Sequence, residues 1–455
     1  MTRWTHLFLL ASLVPALAPS SGMADAVDEL PPGHWLEIPD SRLVQVAADP
    51  AGLNLSGRLE RGLIAAWSGG VVDSTRGRLL VWGGGHDDYG GNEVYAFDLH
   101  TLSWSRLTDP TANPNRCGSE NSDGTPVSRH TYGGLAYIEH ADRLFAFGGA
   151  LDCGSPPERE NVTWTLNLAT LRWERRDPGG DIPWGVRFGI ESDYDPMTRR
   201  VFLRDRQQIS SYDFDANTWT EHAQSETGGW YGDDTTAAID PVGRRMVIVG
   251  GGNLGDFDLA TLEYEDLTAS GDTEIVGADA PGLAYDPIGG QLVAWSGEPG
   301  RGMTPEDVYS LDASTWTWTR RPPAPDNTVV PSSLSAQGTF GRFRFVPTRN
   351  VFVLVNNVEE NVFVYRMTEG DPLPRSDGGV PDEPDGSVPM EPDGEVPRDA
   401  GTTGRDGSPD APSPPMRSGV DSGGCSVGGA TVSLGDAACV VLLAVVGWRK
   451  RRRFS

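Results

Sequence analysis

One pattern recurs six times along the chain: a β-rich run, a tight turn and then a strongly apolar run. The apolar runs start 45 to 65 residues apart, at Arg78, Arg143, Arg200, Arg245, Gln291 and Asn350. The turns before them include Asp195-Pro-Met-Thr and Asp240-Pro-Val-Gly, which is hairpin-turn chemistry. Units of this kind bury their apolar surface by stacking on one another, which favours a repeat architecture closed on itself.

The second half of each unit repeats as well. In the first five units an Asp or Asn is followed three residues later by Thr, and an aromatic residue comes one or three positions after the Thr. These runs are Asp98–Thr101 with Trp104, Asn167–Thr170 with Trp173, Asp215–Thr218 with Trp219, Asp258–Thr261 with Tyr264, and Asp312–Thr315 with Trp316 and Trp318. Residues two apart share one face of a strand. Each unit is therefore predicted to form four strands, a to d, with the c–d turn at Asp-x-x-Thr and an aromatic residue on strand d.

The sixth unit lacks its last strand. It stops after strand c, at Asn361–Tyr365, while the segment His34–Pro39 near the N terminus resembles an aromatic strand d. Lending that segment to the sixth unit would close the ring and remove its exposed sheet edges. The sequence therefore predicts an all-β fold over residues 33–370: a six-bladed β-propeller closed by an N-terminal strand.

Three features of the first unit resemble the kelch motif. Gly83-Gly84-Gly85 follows strand b, Asn92-Glu-Val-Tyr95 forms strand c, and Trp104 lies on strand d. The run from Gly83 to Tyr95 is similar to one in bacterial galactose-oxidase-like propellers of unassigned function. The glycines are replaced in two units, by Arg204-Asp205 and by Val355-Asn356.

The N-terminal residues 1–26 are predicted to be a signal peptide. Arg3 gives a basic start, Leu7–Leu17 is apolar, and Ala24-Asp25-Ala26 fits the small-x-small cleavage pattern, as Ala16-Leu17-Ala18 also does. Export permits disulfides. The net charge is -27, and because an acidic surface repels phosphate backbones, no nucleic acid partner is expected.

The C-terminal part has a different composition. Residues 371–424 are rich in Pro, Gly, Asp and Ser, which predicts a disordered stalk. Residues 425–455 combine Cys425, the apolar stretch Ala437–Trp448 and a terminal basic cluster. They resemble the C-terminal sorting signals of myxobacterial exported proteins, which implies processing near Cys425 by a sorting protease and transfer to the cell surface. An ordinary membrane-spanning anchor is the alternative. Either way, we expect an exported bacterial protein held at the outer envelope through its C terminus.

In a propeller the b–c loops and the d–a links share the face around one channel mouth, and that face usually carries function. Its candidate residues in this chain are His86, Asp87, Asp88, Tyr89, Arg129, His130, Trp184, Arg187, Trp230, Tyr231, Asp233, Asp234 and Arg342. Aromatic rings stack on pyranoses while charged groups bond hydroxyls, so the set suits a glycan. The competing interpretation is structural: the Asp residues cap turns, and Arg129 and Arg187 bond carbonyls between blades.

Two further features could lie on this face. Cys117 and Cys153 are predicted to form a disulfide, and His86 with His130 could contribute to a metal site, although no cofactor is required. The galactose-oxidase-like resemblance implies a copper enzyme, whose cross-linked Cys this disulfide would consume. The first hypothesis is therefore a surface-displayed binding or adhesion module for a surface polysaccharide or an envelope protein, without catalysis. A glycan-active enzyme or oxidase, or a purely structural envelope component, are the alternatives.

Overall fold

A computed structural model describes residues 21–48, 52–55, 57, 62–85, 88–151, 161–185, 189–224, 234–333 and 337–374. They contain helix α1 (Ser21–Asp28) and 26 strands. Short 3-10 helices are Leu43–Val46, Glu139–Ala141, Thr273–Gly277, Pro299–Arg301, Phe340–Arg342 and Pro347–Arg349. None of the described helices is long and apolar enough to cross a membrane.

The strands form six sheets, which confirms the predicted six-bladed propeller. Blades 1 and 2 are β2 (Gly69–Asp73), β3 (Arg78–Trp82), β4 (Tyr95–Asp98) and β5 (Ser103–Arg106), then β6 (Leu135–Ile138), β7 (Arg143–Phe147), β8 (Thr163–Asn167) and β9 (Arg172–Arg176). Blade 3 is β11 (Ile190–Asp195), β12 (Arg200–Asp205), β13 (Gln208–Asp213) and β14 (Thr218–Gln224), with β10 (Gly179–Gly180) parallel to β14. Each blade meanders from strand a to strand d.

The remaining blades follow the same plan. Blade 4 is β15 (Thr236–Asp240), β16 (Arg245–Gly250), β17 (Asn253–Asp258) and β18 (Tyr264–Asp266). Blade 5 is β20 (Gly282–Asp286), β21 (Gln291–Trp295), β22 (Val308–Asp312) and β23 (Thr317–Arg321), with β19 (Ser270–Gly271) parallel to β23. Blade 6 is β24 (Phe343–Val346), β25 (Val351–Leu354), β26 (Val362–Arg366) and β1 (His34–Ile38). Strand b of blade 6 starts one residue later than predicted, because Asn350 lies in the turn with a left-handed φ of 49°.

The predicted ring closure is confirmed. β1 pairs antiparallel with β26, from His34 opposite Arg366 to Ile38 opposite Val362. Trp35 is buried, its ring centroid is 4.8 Å from that of Tyr365, and its Nε1 donates to the carbonyl of Glu306 at 2.9 Å. The first and last parts of the fold thus share one sheet.

Helix α1 packs beside this closure. Val27 is fully buried, Arg349 donates from Nη2 to the carbonyl of Ala24 at 2.7 Å, and Arg366 donates from Nη2 to the carbonyl of Val27 at 2.9 Å. The predicted signal peptide 1–26 overlaps this helix from Ser21 onward, and its first 20 residues lie outside the described chain.

The propeller has a core at every interface between blades. One apolar cluster joins β3 and β4 of blade 1 to β25 and β26 of blade 6, and five similar clusters occupy the other interfaces. The strands a of adjacent blades contact one another around the central channel. We call the end with the b–c loops and d–a links the upper face, and the end with the a–b and c–d turns the lower face.

The closing strand yields a stability prediction. Trp35→Ala should lower the free energy of unfolding by about 3–5 kcal/mol, because a large buried ring is lost at the sheet that holds the ring shut. Urea denaturation measures this, with Val242→Ala, a lower-face residue that is 80% exposed, as the control. A Trp35→Ala variant as stable as the control would contradict the role given to β1.

Candidate functional site

Six equivalent residues surround the upper channel mouth. Each lies six positions before the last residue of its strand a. That last residue pairs with the first residue of strand b. They are Trp67, Tyr132, Gly189, Asp234, Ala280 and Phe340, and all except Asp234 have φ between 42° and 65°. Bulky residues rarely adopt this left-handed conformation, and it persists only where the surroundings impose it, often at functional sites.

The aromatic members of this ring form a cluster with His130. The indole of Trp67 stacks on the His130 imidazole, with centroids 4.9 Å apart. Tyr132 meets His130 edge-on at 6.1 Å, and Phe340 meets Tyr132 edge-on at 5.7 Å. His130, Tyr132 and Phe340 are buried, whereas Trp67 is half-buried. Ala150 and Ala280 complete the cluster, which gives the mouth an apolar floor with one partly accessible indole.

An Asp–His pair lies beside this floor. Nε2 of His130 is 3.0 Å from Oδ2 of Asp88, and the side chain of Asp88 is 24% exposed. The backbone of His130 is held by two bonds with Ala150, at 3.0 and 3.2 Å. A Cβ on Gly149, where φ is 95°, would come within 2.3 Å of the His130 carbonyl oxygen. The paired glycines after strand b therefore let the b–c loop approach the start of strand a closely enough to position His130.

Three of the residues predicted at the mouth turn their side chains into the protein: Tyr89, Arg129 and, at the ring closure, Arg342. Tyr89 is buried and donates from its hydroxyl to Oε1 of Glu93 at 2.5 Å, and burial raises the pKa of both groups. Arg129 donates to three backbone carbonyls, those of Val127, Gly148 and Ser119. This contact pattern is the one expected of a structural arginine.

Arg342 plays the same part at the ring closure. It is fully buried and donates to the carbonyls of Ser68 in blade 1, Val355 in blade 6 and Gly338 before blade 6. Burial lowers the pKa of its guanidinium to about 9. The side chain therefore ties the two ends of the ring together rather than facing a ligand.

The other predicted residues do not join the His130 cluster in the described chain. Trp184 is 58% exposed and lines a separate cavity of ≈ 200 Å³ with Asp205 and Gln208. The carbonyl of Asp234 accepts a hydrogen bond from the Ala280 amide at 2.7 Å. Outside the described residues lie His86, Asp87, Arg187, Trp230, Tyr231, Asp233, Cys153 and Cys425.

The metal and disulfide predictions therefore stay predictions. His86 falls outside the described residues, and no group of three or more His, Cys, Asp or Glu side chains that could hold a metal ion occurs among the described ones. Cys117 is exposed, but its predicted partner belongs to residues 152–160, which are not described.

A buried charged cluster in blade 3 was not predicted. Glu191 is fully buried, accepts a hydrogen bond from the Thr235 hydroxyl, and lies 3.5 Å from Nη1 of Arg204. Asp205 accepts from the Gly185 amide at 2.7 Å. Burial is the main cause that raises the pKa of Glu191. The sequence does carry one signal for this cluster: Arg204-Asp205 stands where other units have paired glycines after strand b.

A search against models of known protein families finds no match for this chain. The arrangement of residues, rather than family membership, is thus the basis for assigning a function.

The Glu191 cluster gives a pH-dependence prediction. The folded-state pKa is raised, so the stability that protonated Glu191 contributes is present at low pH and is lost as pH rises through that pKa. Glu191→Gln removes this titration, so from pH 5 to pH 8 its free energy of unfolding should fall less than that of the parent. Each tenfold change in proton affinity corresponds to about 1.4 kcal/mol.

The measurement is urea denaturation across this pH range, with the exposed Glu263→Gln as the control. Glu191→Gln removes the carboxylate beside Arg204 at every pH, which changes the free energy of unfolding by itself. The informative quantity is therefore how steeply the free energy of unfolding changes with pH. Parallel curves for Glu191→Gln and the parent would refute the raised pKa.

Proposed function

We propose that this propeller is a binding module that takes a glycan at its upper channel mouth. The observation that carries the proposal is the half-buried Trp67, stacked on a histidine that Asp88 holds in place, above buried Tyr132 and Phe340. Propellers are compatible with such a role, although a fold alone assigns no activity.

The chemistry of the mouth suits a sugar. A pyranose presents an apolar face that stacks on an indole, and its hydroxyls can donate to the partly exposed carboxylate of Asp88. The ring of Trp67 is already oriented by His130, so little side-chain entropy is lost on binding. The net charge of -27 disfavours strongly anionic ligands. A neutral surface polysaccharide is therefore the ligand class that we favour over an envelope protein.

The relationship to kelch-like, galactose-oxidase-like propellers is part of this proposal. In support, the paired glycines stand where backbones nearly touch: a Cβ on Gly85 would come within 2.4 Å of Cα of Arg129, and one on Gly250 within 2.2 Å of the Asp234 carbonyl oxygen. Only glycine fits such contacts. The glycines of the motif thus have a physical role in this chain.

Display on the cell surface completes the proposal. The described chain ends at residue 374 on the lower face, where the amide of Leu373 donates to the carbonyl of Pro347 at 2.9 Å. The predicted stalk (371–424) would leave the propeller on this face, and the tail (425–455) would be processed near Cys425 or kept in the membrane.

A glycan-active enzyme is the second candidate, because a carboxylate that orients an imidazole also suits proton transfer. The Asp88–His130 pair is the observation in its favour. The two functions differ in turnover. Conversion of the bound glycan, or about one equivalent of metal that a His86→Ala, His130→Ala double variant loses, would favour the enzyme. Saturable binding without conversion would favour the module.

The binding test compares two similar tryptophans. Trp67 and Trp316 are both half-buried and both have left-handed φ angles, of 48° and 53°, but Trp316 lies in a c–d turn on the lower face. Trp67→Ala should weaken binding to the recognised polysaccharide roughly tenfold or more, because a stacking surface is lost. Trp316→Ala should leave binding unchanged. Affinity electrophoresis in gels containing neutral polysaccharides measures both, and equal retardation of the two variants would refute the upper-mouth site.

A further inference from the structure

A cup lies at the lower mouth of the central channel, on the face opposite to Trp67. Its volume is ≈ 440 Å³, and residues of all six blades line it. This volume falls within the range of about 300–1,000 Å³ typical of small-molecule sites. We propose that the cup binds the end of a neutral saccharide chain. The proposal uses none of the upper-mouth residues and stands independently of the function proposed there.

The floor of the cup is an ion pair across the channel. Nη1 of Arg344 in blade 6 lies 3.7 Å from Oδ2 of Asp193 in blade 3, the opposite blade. Both residues line the cup. Each lies one position further from the lower face along strand a than the aromatic residue that forms the cup wall in the same blade. The pair therefore separates the cup from the rest of the channel and leaves the lower face as its entrance.

The floor offers a ligand one partly exposed polar group, the carboxylate of Asp193. Arg344 is 7% exposed and donates from Nη1 to the carbonyl of Leu283 at 3.4 Å, but its buried Nε has no hydrogen-bond partner among the described residues. Asp193 already accepts from the amide of Ile239 at 2.9 Å. The Nε of Arg344 is out of reach of a ligand, whereas the carboxylate of Asp193, whose side chain is 22% exposed, can still accept from a ligand hydroxyl.

The wall of the cup is aromatic. Tyr137, Tyr194, Tyr285 and Phe345 occupy the same position in strand a of blades 2, 3, 5 and 6, one residue before its end. Two of the hydroxyls are engaged elsewhere: that of Tyr137 donates to Asp142 at 3.1 Å, and that of Tyr194 is 2.8 Å from Nδ1 of His140. Tyr137 and Phe345 are buried, whereas Tyr194 and Tyr285 are half-buried, so the rings of Tyr194 and Tyr285 are what the wall offers a ligand.

The rim repeats in the same way. Pro196, Pro241, Pro287 and Pro347 follow strand a in blades 3 to 6, and Leu373 of the C-terminal segment joins them. Proline supplies a rigid apolar edge with no amide donor. The opening thus adds apolar contact around a ligand whose polar groups reach the floor.

The floor, wall and rim of the cup together favour a saccharide over other classes of ligand. Hydroxyl groups can donate to Asp193, while the apolar face of a sugar ring stacks on the wall. A purely apolar ligand would cover the partly exposed carboxylate of Asp193 without bonding it. The acidic protein and the rim residue Glu139 disfavour an anion. Because the floor is closed, the terminal rings of a chain fit and a continuous strand does not.

The test uses the full chain and measures binding of cellobiose, lactose, mannobiose and, as an acidic comparison, glucuronate by titration calorimetry. At least one neutral disaccharide should bind saturably. Tyr285→Ala and Asp193→Asn should each weaken it roughly tenfold. Met197→Ala, next to the rim residue Pro196 and 69% exposed, is the matched control and should bind as the parent does.

Three results would overturn the proposal: no binding of any neutral disaccharide, binding that Tyr285→Ala leaves intact, or tighter binding of glucuronate. Asp193→Asn keeps the side-chain volume, and the thermal midpoint of each variant shows whether it folds; if Asp193→Asn does not, Tyr285→Ala decides. A loss of disaccharide binding in Trp67→Ala that Tyr285→Ala does not share would place the sugar at the upper mouth instead. Failure at one mouth is thereby distinguished from failure at the other.

Discussion

The pairing of β1 with β26 is the interaction on which the rest of the molecule depends. An open row of six blades would expose two sheet edges and an unfilled interface, whereas the shared sheet of blade 6 buries Trp35 against Tyr365 and lets blades 6 and 1 form a common core. Arg342 and helix α1 reinforce the same region, since both bond backbone carbonyls beside the closure. Ring closure also sets the distance across the channel, and with it the geometry of both mouths.

The two mouths use different means to place their side chains. At the upper mouth, glycines allow backbones to approach so closely that Trp67, Tyr132 and Phe340 are held in left-handed conformations. At the lower mouth, regular strands present Tyr194, Tyr285 and their equivalents by simple register. The upper arrangement is strained and built from loops, and the lower one is unstrained and built from strands, so substitutions at the lower mouth should disturb the fold less.

Two ion pairs lie along the channel. Glu191 with Arg204 and Asp193 with Arg344 lie on or beside the inner strands, whereas the buried Glu93 accepts from Tyr89 and Tyr95 of the core between blades 1 and 6. Such pairs add little stability, because removing two charges from water costs about as much as their attraction returns. Their value lies in specific geometry, and in the case of Asp193 in a partly exposed carboxylate that a ligand can engage.

The sequence by itself determined the blade count, the strand order and the closing strand. These follow from local signals: Asp-Pro turns, Asp-x-x-Thr turns such as Asp98 bonding the amides of His100 and Thr101, and period-two apolar patterning. Tertiary structure alone decided which polar residues meet. Tyr89, Arg129 and Arg342 look like mouth residues in sequence, yet their side chains turn inward to Glu93 and to backbone carbonyls. Trp67 and Arg344 have no sequence signal, because their roles depend on contacts between blades far apart in the chain, and local propensity does not encode such contacts.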